Sequence, residues 1–198
     1  MTNELKINDT IPTFVLPLSD DTLLDSKELK KKLYIIYFYP KDNTPGCTNE
    51  AKDFSSNIEK FEKNKVEVIG VSKDSIKKHQ NFIEKQNLKI KLASDEDGEV
   101  IKKFGVWVEK KMYGRTYMGI ERSTFIISGN GKVLEIFRKV KVKNHVNLVL
   151  EKVNEILKKT AELFNERFSD LEIEKRSKKL ESFNPIKSAE KIVDVIFK

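Results

Sequence analysis

The chain has 198 residues, 38% of them hydrophobic and 35% charged, with a net charge of +7 and a single cysteine. This composition suits one sizeable core under a charged surface. Its longest unbroken apolar run, residues 33–39, is far short of the roughly 20 residues of a membrane-spanning helix. One cysteine excludes an internal disulfide and agrees with a reducing compartment; MTNELKINDT has no apolar signal core, so the expectation is an intracellular protein with no membrane contact.

The first elements follow from period and turn chemistry. TFVLPLSDDT reads as a short strand entering a turn, and SKELKKK as a short helix capped by Ser26. LYIIYFYP is β-branched, aromatic and apolar throughout, which predicts a buried central strand sealed by Pro40. From Cys47 to Phe61, the residues Ala51, Phe54, Ile58 and Phe61 recur at helical spacing. VEVIGVS is a second buried strand. DSIKKHQNFIEKQN is a helix capped by Asp74 or Ser75, with Ile76, Phe82 and Ile83 inward.

Further on, KIKLASD reads as a short strand and GEVIKKFGV as a short helix ended by Gly105. EKKMYGRTYMGIER is a polar loop or hairpin. STFIIS and KVLEIFRKV flank the turn Gly129-Asn130-Gly131 and predict a β-hairpin. Asn144 caps a helix carried by Val146, Val149, Leu150, Val153, Ile156 and Leu157. Helices between buried strands indicate an α/β fold rather than an all-α or all-β one.

The apolar stripe continues through Leu163, Phe164, Phe168 and Leu171, and residues 161–198 read as a charged helical extension on a body formed by 1–160. The apolar face of the extension needs cover, from the body, a partner or a second copy, so the expected state is a monomer or a weak dimer. The basic excess lies in the body: residues 1–160 carry 30 Lys/Arg and 23 Asp/Glu, residues 161–198 eight of each. Interleaved with acids, these lysines form a solvated surface that leaves room for weak contact with nucleic acid. Lys175-Arg176-Ser177-Lys178-Lys179 resembles a short nuclear-localisation signal, so a nuclear or nucleic-acid-associated protein that senses redox state through its one cysteine is the rival reading. Localisation is then cytoplasmic, nuclear or both. No aromatic residues interleave with the basic ones as a stacking platform requires.

The chemistry centres on TPGCT. Pro45 and Gly46 permit a sharp turn from strand end into helix, placing Cys47 in the first helical turn. There, unpaired backbone N–H groups and the positive end of the dipole favour an anion. Thiolate is the nucleophilic form of cysteine, so the position suits a reactive thiol, and a structural one stands as the alternative. Thr44 can aim a hydroxyl into the same pocket as donor or acceptor, and Pro40 can cover its entrance. Pattern alone does not bring Arg122 to Cys47. His79 and His145 lack companions at ligand spacing, so no metal is expected; His145 reads as structural. Asp95-Glu96-Asp97 lacks a calcium-loop pattern, Trp107 reads as packing, and no organic cofactor is implied.

FYPKDNTPGCTNEAKDF resembles the active-site stretch of the peroxiredoxins, in particular the bacterioferritin-comigratory, or peroxiredoxin Q, branch. Pro40, Thr44 and Cys47 match the family pattern Pro-x-x-x-Thr-x-x-Cys. GIERSTFIIS resembles its second signature, with the arginine falling on Arg122, and GNGKV and VKVKNHV look like the same branch. The resemblance covers about residues 3–158. It implies a thioredoxin-like fold with the peroxiredoxin additions, and an antioxidant peroxidase acting on hydrogen peroxide and alkyl hydroperoxides. It makes Cys47 the peroxidatic nucleophile, Thr44 and Arg122 its catalytic companions, and Pro40 and Gly46 part of the pocket. Glu50 matches a glutamate of the branch; it orients Arg122 or Thr44, or simply complements the helix dipole. Many members carry a second cysteine five residues after the first, where this chain has Lys52, or on the following helix, where it has none. The sulfenic acid is therefore expected to be reduced by an outside thiol, from thioredoxin, glutathione or glutaredoxin.

Overall fold

The computed structural model describes residues 4–29, 33–112 and 114–167. The chain opens with a small antiparallel pair, β1 (Val15–Pro17) and β2 (Leu23–Asp25), in which Leu16 faces Leu24. The apolar run becomes β3 (Leu33–Phe38), buried at every position. Then come α1 (Pro45–Ser56), α2 (Ile58–Lys63), β4 (Val66–Ser72), α3 (Ile76–Gln86), β5 (Lys91–Ser94) and α4 (Glu99–Lys103). The hairpin β6 (Trp107–Met112) and β7 (Arg115–Ile120) stands apart from the main sheet, which β8 (Ser123–Ile127) and β9 (Val133–Phe137) complete before α5 (His145–Arg167).

The main sheet runs β5-β4-β3-β8-β9. β3 pairs parallel with β4 and antiparallel with β8, which makes it the central strand that its unbroken apolar sequence predicts. Its residues alternate between two cores. Tyr34, Ile36 and Phe38 pack with Phe104, Phe125 and Ile101 on one face. Ile35, Tyr37 and Tyr39 pack on the other with Cys47, Phe54, Phe61 and Phe82 from α1, α2 and α3, and with Val146, Val149 and Val153 from α5. The expected α/β sandwich is what forms. Gly70 of β4 lies directly opposite Tyr37 in register. A Cβ there would stand 2.5 Å from the Tyr37 ring and 2.8 Å from Leu92 Cδ2, so only glycine admits the aromatic side chain.

Three local expectations are corrected. Ser26 caps no helix: residues 26–29 form turns, and its hydroxyl accepts the Phe14 N–H at 2.9 Å, tying the turn to the first strand pair. The single helix expected over Cys47–Phe61 divides at Asn57, whose side-chain amide donates to Asp53 O at 2.9 Å and competes with the backbone ladder. Asn144 lies in the left-handed region at φ +64°, and its side-chain oxygen accepts from Asn147 Nδ2 at 2.8 Å rather than from a helical backbone N–H. The polar stretch EKKMYGRTYMGIER is the β6–β7 hairpin. Trp107 packs as expected, against the first core and under the Lys73 ammonium, 5.3 Å from its ring centroid.

α5 crosses residue 160 without interruption. Phe168, Leu171 and Lys175–Lys179 lie outside the described residues. No helix among the described residues is long and apolar enough to cross a membrane.

Candidate functional site

The turn from β3 into α1 places Pro45 first in the helix, where its missing N–H removes no bond and its fixed φ suits the helix. Gly46 follows, and Cys47 is third. Thr44 is the N-cap residue, and its carbonyl accepts the Thr48 N–H at 2.8 Å. Its side chain caps nothing; the hydroxyl donates to Lys41 O at 3.1 Å, which leaves its lone pairs to offer elsewhere. Pro40 is exposed just beyond the end of β3. The hydrogen bonds of Thr44 thus lead back into its own loop rather than to the sulfur.

Cys47 is buried, 1% exposed, in the α-helical core beside Ala51 and Phe54. It is not an isolated thiol. Arg122, contributed by the link between β7 and β8, donates from Nη2 to Cys47 Sγ at 3.1 Å and from Nη1 to Glu50 Oε2. Cys47 and Arg122 are 75 residues apart, and the β3–β8 pairing brings them together: Phe38 at the end of β3 opposes Ser123 at the start of β8. A guanidinium held against sulfur supports the anion, because a hydrogen bond to an ionised partner is roughly twice as strong as a neutral one. The guanidinium packs close over Gly46: a Cβ there would stand 3.4 Å from Arg122 Nη2, at the edge of ordinary van der Waals contact. The structure thus brings Cys47, Arg122, Glu50 and Gly46 together, an association that pattern alone leaves open.

The dipole reading of Glu50 is the one that geometry excludes. The first turn of α1 contains no acid, and Glu50 lies one turn further on, fully buried and facing Arg122. Burial pushes its carboxyl up from the ordinary 4.5 to about 7, with the Arg122 charge pulling the other way. An acid raised in this way stabilises the fold while it keeps a proton that the unfolded chain releases. This contribution is full below pH 4.5 and lost as the pH rises through about 7. Glu50→Gln is expected to abolish that slope. Between about pH 5 and pH 8, unfolding free energies from urea titrations should fall in the parent relative to the variant by about 1–3 kcal/mol. Parallel pH profiles would rule the titration out.

Other polar groups near the site were not legible in the sequence. Among the described residues the Tyr37 hydroxyl has no hydrogen-bond partner; it is buried under stacked Tyr39 and Phe54, with ring centroids at 5.5 and 4.6 Å. Burial, with the Glu50 charge adding, holds this phenol well above its ordinary range, so it stays neutral. His145, expected to be structural, is buried at the start of α5, with Nε2 2.8 Å from Thr124 Oγ1. Burial lowers its pKa to about 4, and the Arg122 charge adds to the shift, so the ring is neutral at ordinary pH. Lys110 of β6 donates to Ile120 O; burial lowers its pKa, and the Arg122 charge acts in the same direction. The second face of YIIYFY carries Tyr37 and Tyr39 at period two, the one signal that polar atoms enter this core. Among the described residues, no group of three or more His, Cys, Asp or Glu side chains could hold a metal ion.

Chemically, the arrangement is a sulfur nucleophile at a helix start, with a fixed cation at its side and a buried carboxyl behind that cation. It suits attack on a small electrophile whose leaving group departs as an anion. Comparison with known proteins points the same way. The profile of the AhpC/TSA family matches residues 7–136. A putative peroxiredoxin Bcp of Coxiella burnetii is 44% identical over 142 residues, which is 72% of this chain and 94% of that protein. Peroxiredoxin Bcp of Xanthomonas campestris is 46% identical over 140 residues, 70% of this chain and 88% of that protein. A solved structure of the Xanthomonas campestris bacterioferritin comigratory protein, described for its alkyl peroxide reduction activity, superposes with a TM-score of 0.70 at 40% identity. It covers 74% of this chain and 98% of that one.

Proposed function

This chain belongs to the AhpC/TSA family and is a peroxiredoxin, a thiol-dependent peroxidase of thioredoxin-like fold, and from that premise we propose that Cys47 reduces hydroperoxides and is regenerated by a thiol from outside the chain. The observation that carries the reading is the 3.1 Å contact of Arg122 Nη2 with Cys47 Sγ at the start of α1. The Cys47 thiolate attacks one peroxide oxygen; an S–O bond forms as the O–O bond breaks. Sulfur is oxidised to the sulfenic acid, and the departing oxygen takes a proton and leaves as water or an alcohol. Arg122 stabilises the thiolate and the charge that spreads onto the oxygens in the transition state. Free N–H groups in the first turn of α1 hold the peroxide, and the Thr44 hydroxyl at the N-cap has lone pairs to accept from it. Alkyl hydroperoxides join hydrogen peroxide as the substrate class, by analogy with the activity described for the Xanthomonas campestris protein.

The second half-reaction follows from counting. With one cysteine in 198 residues, no thiol of the same chain can capture the sulfenic acid. An external thiolate attacks that sulfur and expels water, leaving a mixed disulfide. A second external thiol then releases the Cys47 thiolate and carries away the disulfide. Thioredoxin, glutaredoxin and glutathione all supply such thiols. Residues 1–160 form the peroxidase domain in this reading, and 161–198 an extension outside the reaction.

The test is peroxide consumption with the three reductants in parallel, followed by intact mass after one equivalent of hydrogen peroxide. A gain of one oxygen at Cys47, reversed by at least one reductant, is expected. Turnover in which the isolated oxidised protein is a Cys47–Cys47 dimer would replace the external-thiol step with an intermolecular one. The nuclear or nucleic-acid reading rests on the +7 charge and on Lys175–Lys179, outside the described residues, and no structural observation favours it.

A further inference from the structure

The segment 40–44 between β3 and α1 belongs to no helix or strand, yet it sets where α1 starts. Asp42 anchors it. This residue is 6% exposed, and three bonds meet on it. The Tyr39 hydroxyl donates to Oδ1 at 2.7 Å, His79 Nδ1 lies 2.8 Å from Oδ2, and the Asp42 N–H donates to Asp74 Oδ2 at 2.9 Å. Asp74 is itself held: the Ser72 hydroxyl donates to the same Oδ2 at 3.0 Å, Ser94 Oγ donates to the Asp74 carbonyl at 2.6 Å, and the Lys78 ammonium lies 3.5 Å from Oδ1. The His79 ring, fully buried, also faces Ala93 O through Nε2 at 3.2 Å. One short loop is thus tied to β4, β5 and α3 at once.

Such a cluster stabilises little compared with apolar packing, and its worth lies in directional geometry when every member is satisfied. Here the members are satisfied. Both Asp42 oxygens have partners, and both ring nitrogens of His79 face acceptors. None of these bonds reaches Cys47. They reach the residue five positions before it, and Asn43, at φ +58°, then turns the chain into Thr44.

We propose that the buried Asp42–His79 pair is a positioning device for the peroxide step: it holds the 40–44 loop so that Thr44 and the free N–H groups at the start of α1 keep their places in the helix start that carries the reacting sulfur. The proposal rests on the peroxidase reading above. Asp42 and His79 touch neither peroxide nor sulfur; they act through the loop.

Asp42→Asn and His79→Gln keep side-chain volume and remove the pair. Each is expected to slow oxidation of Cys47 by hydrogen peroxide about 10- to 100-fold in single-turnover assays, the effect of misplacing groups by a fraction of an ångström to an ångström. Alkylation of Cys47 by iodoacetamide, which needs the thiolate but not the peroxide-binding groups, should change less than about threefold. A purely structural role predicts a lower melting temperature with both rates unchanged in folded protein. Unchanged peroxide rates in the folded variants overturn the proposal. If both variants unfold, Tyr39→Phe decides: it keeps the ring, removes one of the three anchors, and is expected to slow the peroxide reaction about threefold or more; an unchanged rate overturns the proposal equally. A parent protein whose Cys47 is not oxidised by peroxide at all would instead strike the peroxidase reading.

Discussion

Cys47→Ser is expected to lower peroxide-dependent oxidation of an added thiol by at least about a thousandfold, to the uncatalysed background. The reason is nucleophilicity. At neutral pH, a serine hydroxyl in the same place, even beside Arg122, does not ionise to a usable degree and has no accessible two-electron oxidation comparable to sulfenic acid formation. The substitution replaces one buried small side chain with another, so the fold should survive. Melting temperature and circular dichroism provide the control. The assay is loss of hydrogen peroxide in the presence of whichever reductant supports the parent protein. Because the chain has no second cysteine to substitute, residual turnover above background in folded Cys47→Ser would mean that the peroxidase centre lies elsewhere.

Arg122→Leu comes next in expected effect, a loss of about 100- to 1000-fold in the rate of Cys47 oxidation. Two interactions disappear together. Sulfur loses the 3.1 Å donor that favours its anion, and Glu50 loses the cation that opposes its burial. The carboxyl is then expected to stay protonated to higher pH than in the parent, since burial and the Asp53 charge act on it unopposed. Alkylation of Cys47 by iodoacetamide at a fixed pH is expected to slow in Arg122→Leu, because the donor at sulfur is gone, which separates this variant from those of the Asp42–His79 pair. Arg122→Lys is the informative companion: it keeps the charge but not the planar fork that spans Sγ and Glu50, and it should recover only part of the rate. Rates within about threefold of the parent for folded Arg122→Leu would remove electrostatic stabilisation from the mechanism.

The site was legible in the sequence to different depths at different residues. Cys47 could be placed in the first turn of α1 because Pro45 and Gly46 are unambiguous start signals, and the structure has it third in the helix. Glu50 read equally as a dipole partner or as an orienting group. Helical phase decides between them, since it lies on the buried face with Cys47, Ala51 and Phe54. Thr44 read as a donor into the pocket, whereas its hydroxyl bonds Lys41 O, a loop geometry that no periodicity encodes. His79 read only as a histidine without companions at ligand spacing. Its partners Asp42 and Ala93 come from two other elements, so nothing in α3 itself announced them. The same holds for Asn57 and Ser26, where side-chain bonds to backbone overrode helical pattern.

From the sequence alone follow those properties that depend on neighbours along the chain or on counting. β3 is buried because its apolar run has no polar side to expose, the α/β class follows from alternating periods, and a single cysteine leaves no partner for a disulfide within these 198 residues. Tertiary structure decided everything that needs two distant segments in register. The pairing of β3 with β8 brings Arg122 to Cys47, and closure of α1 over the sheet turns Glu50 into a carboxyl with a pKa near 7. Electric fields and desolvation act through space over a few ångströms, and sequence separation says nothing of such distances until the sheet has formed.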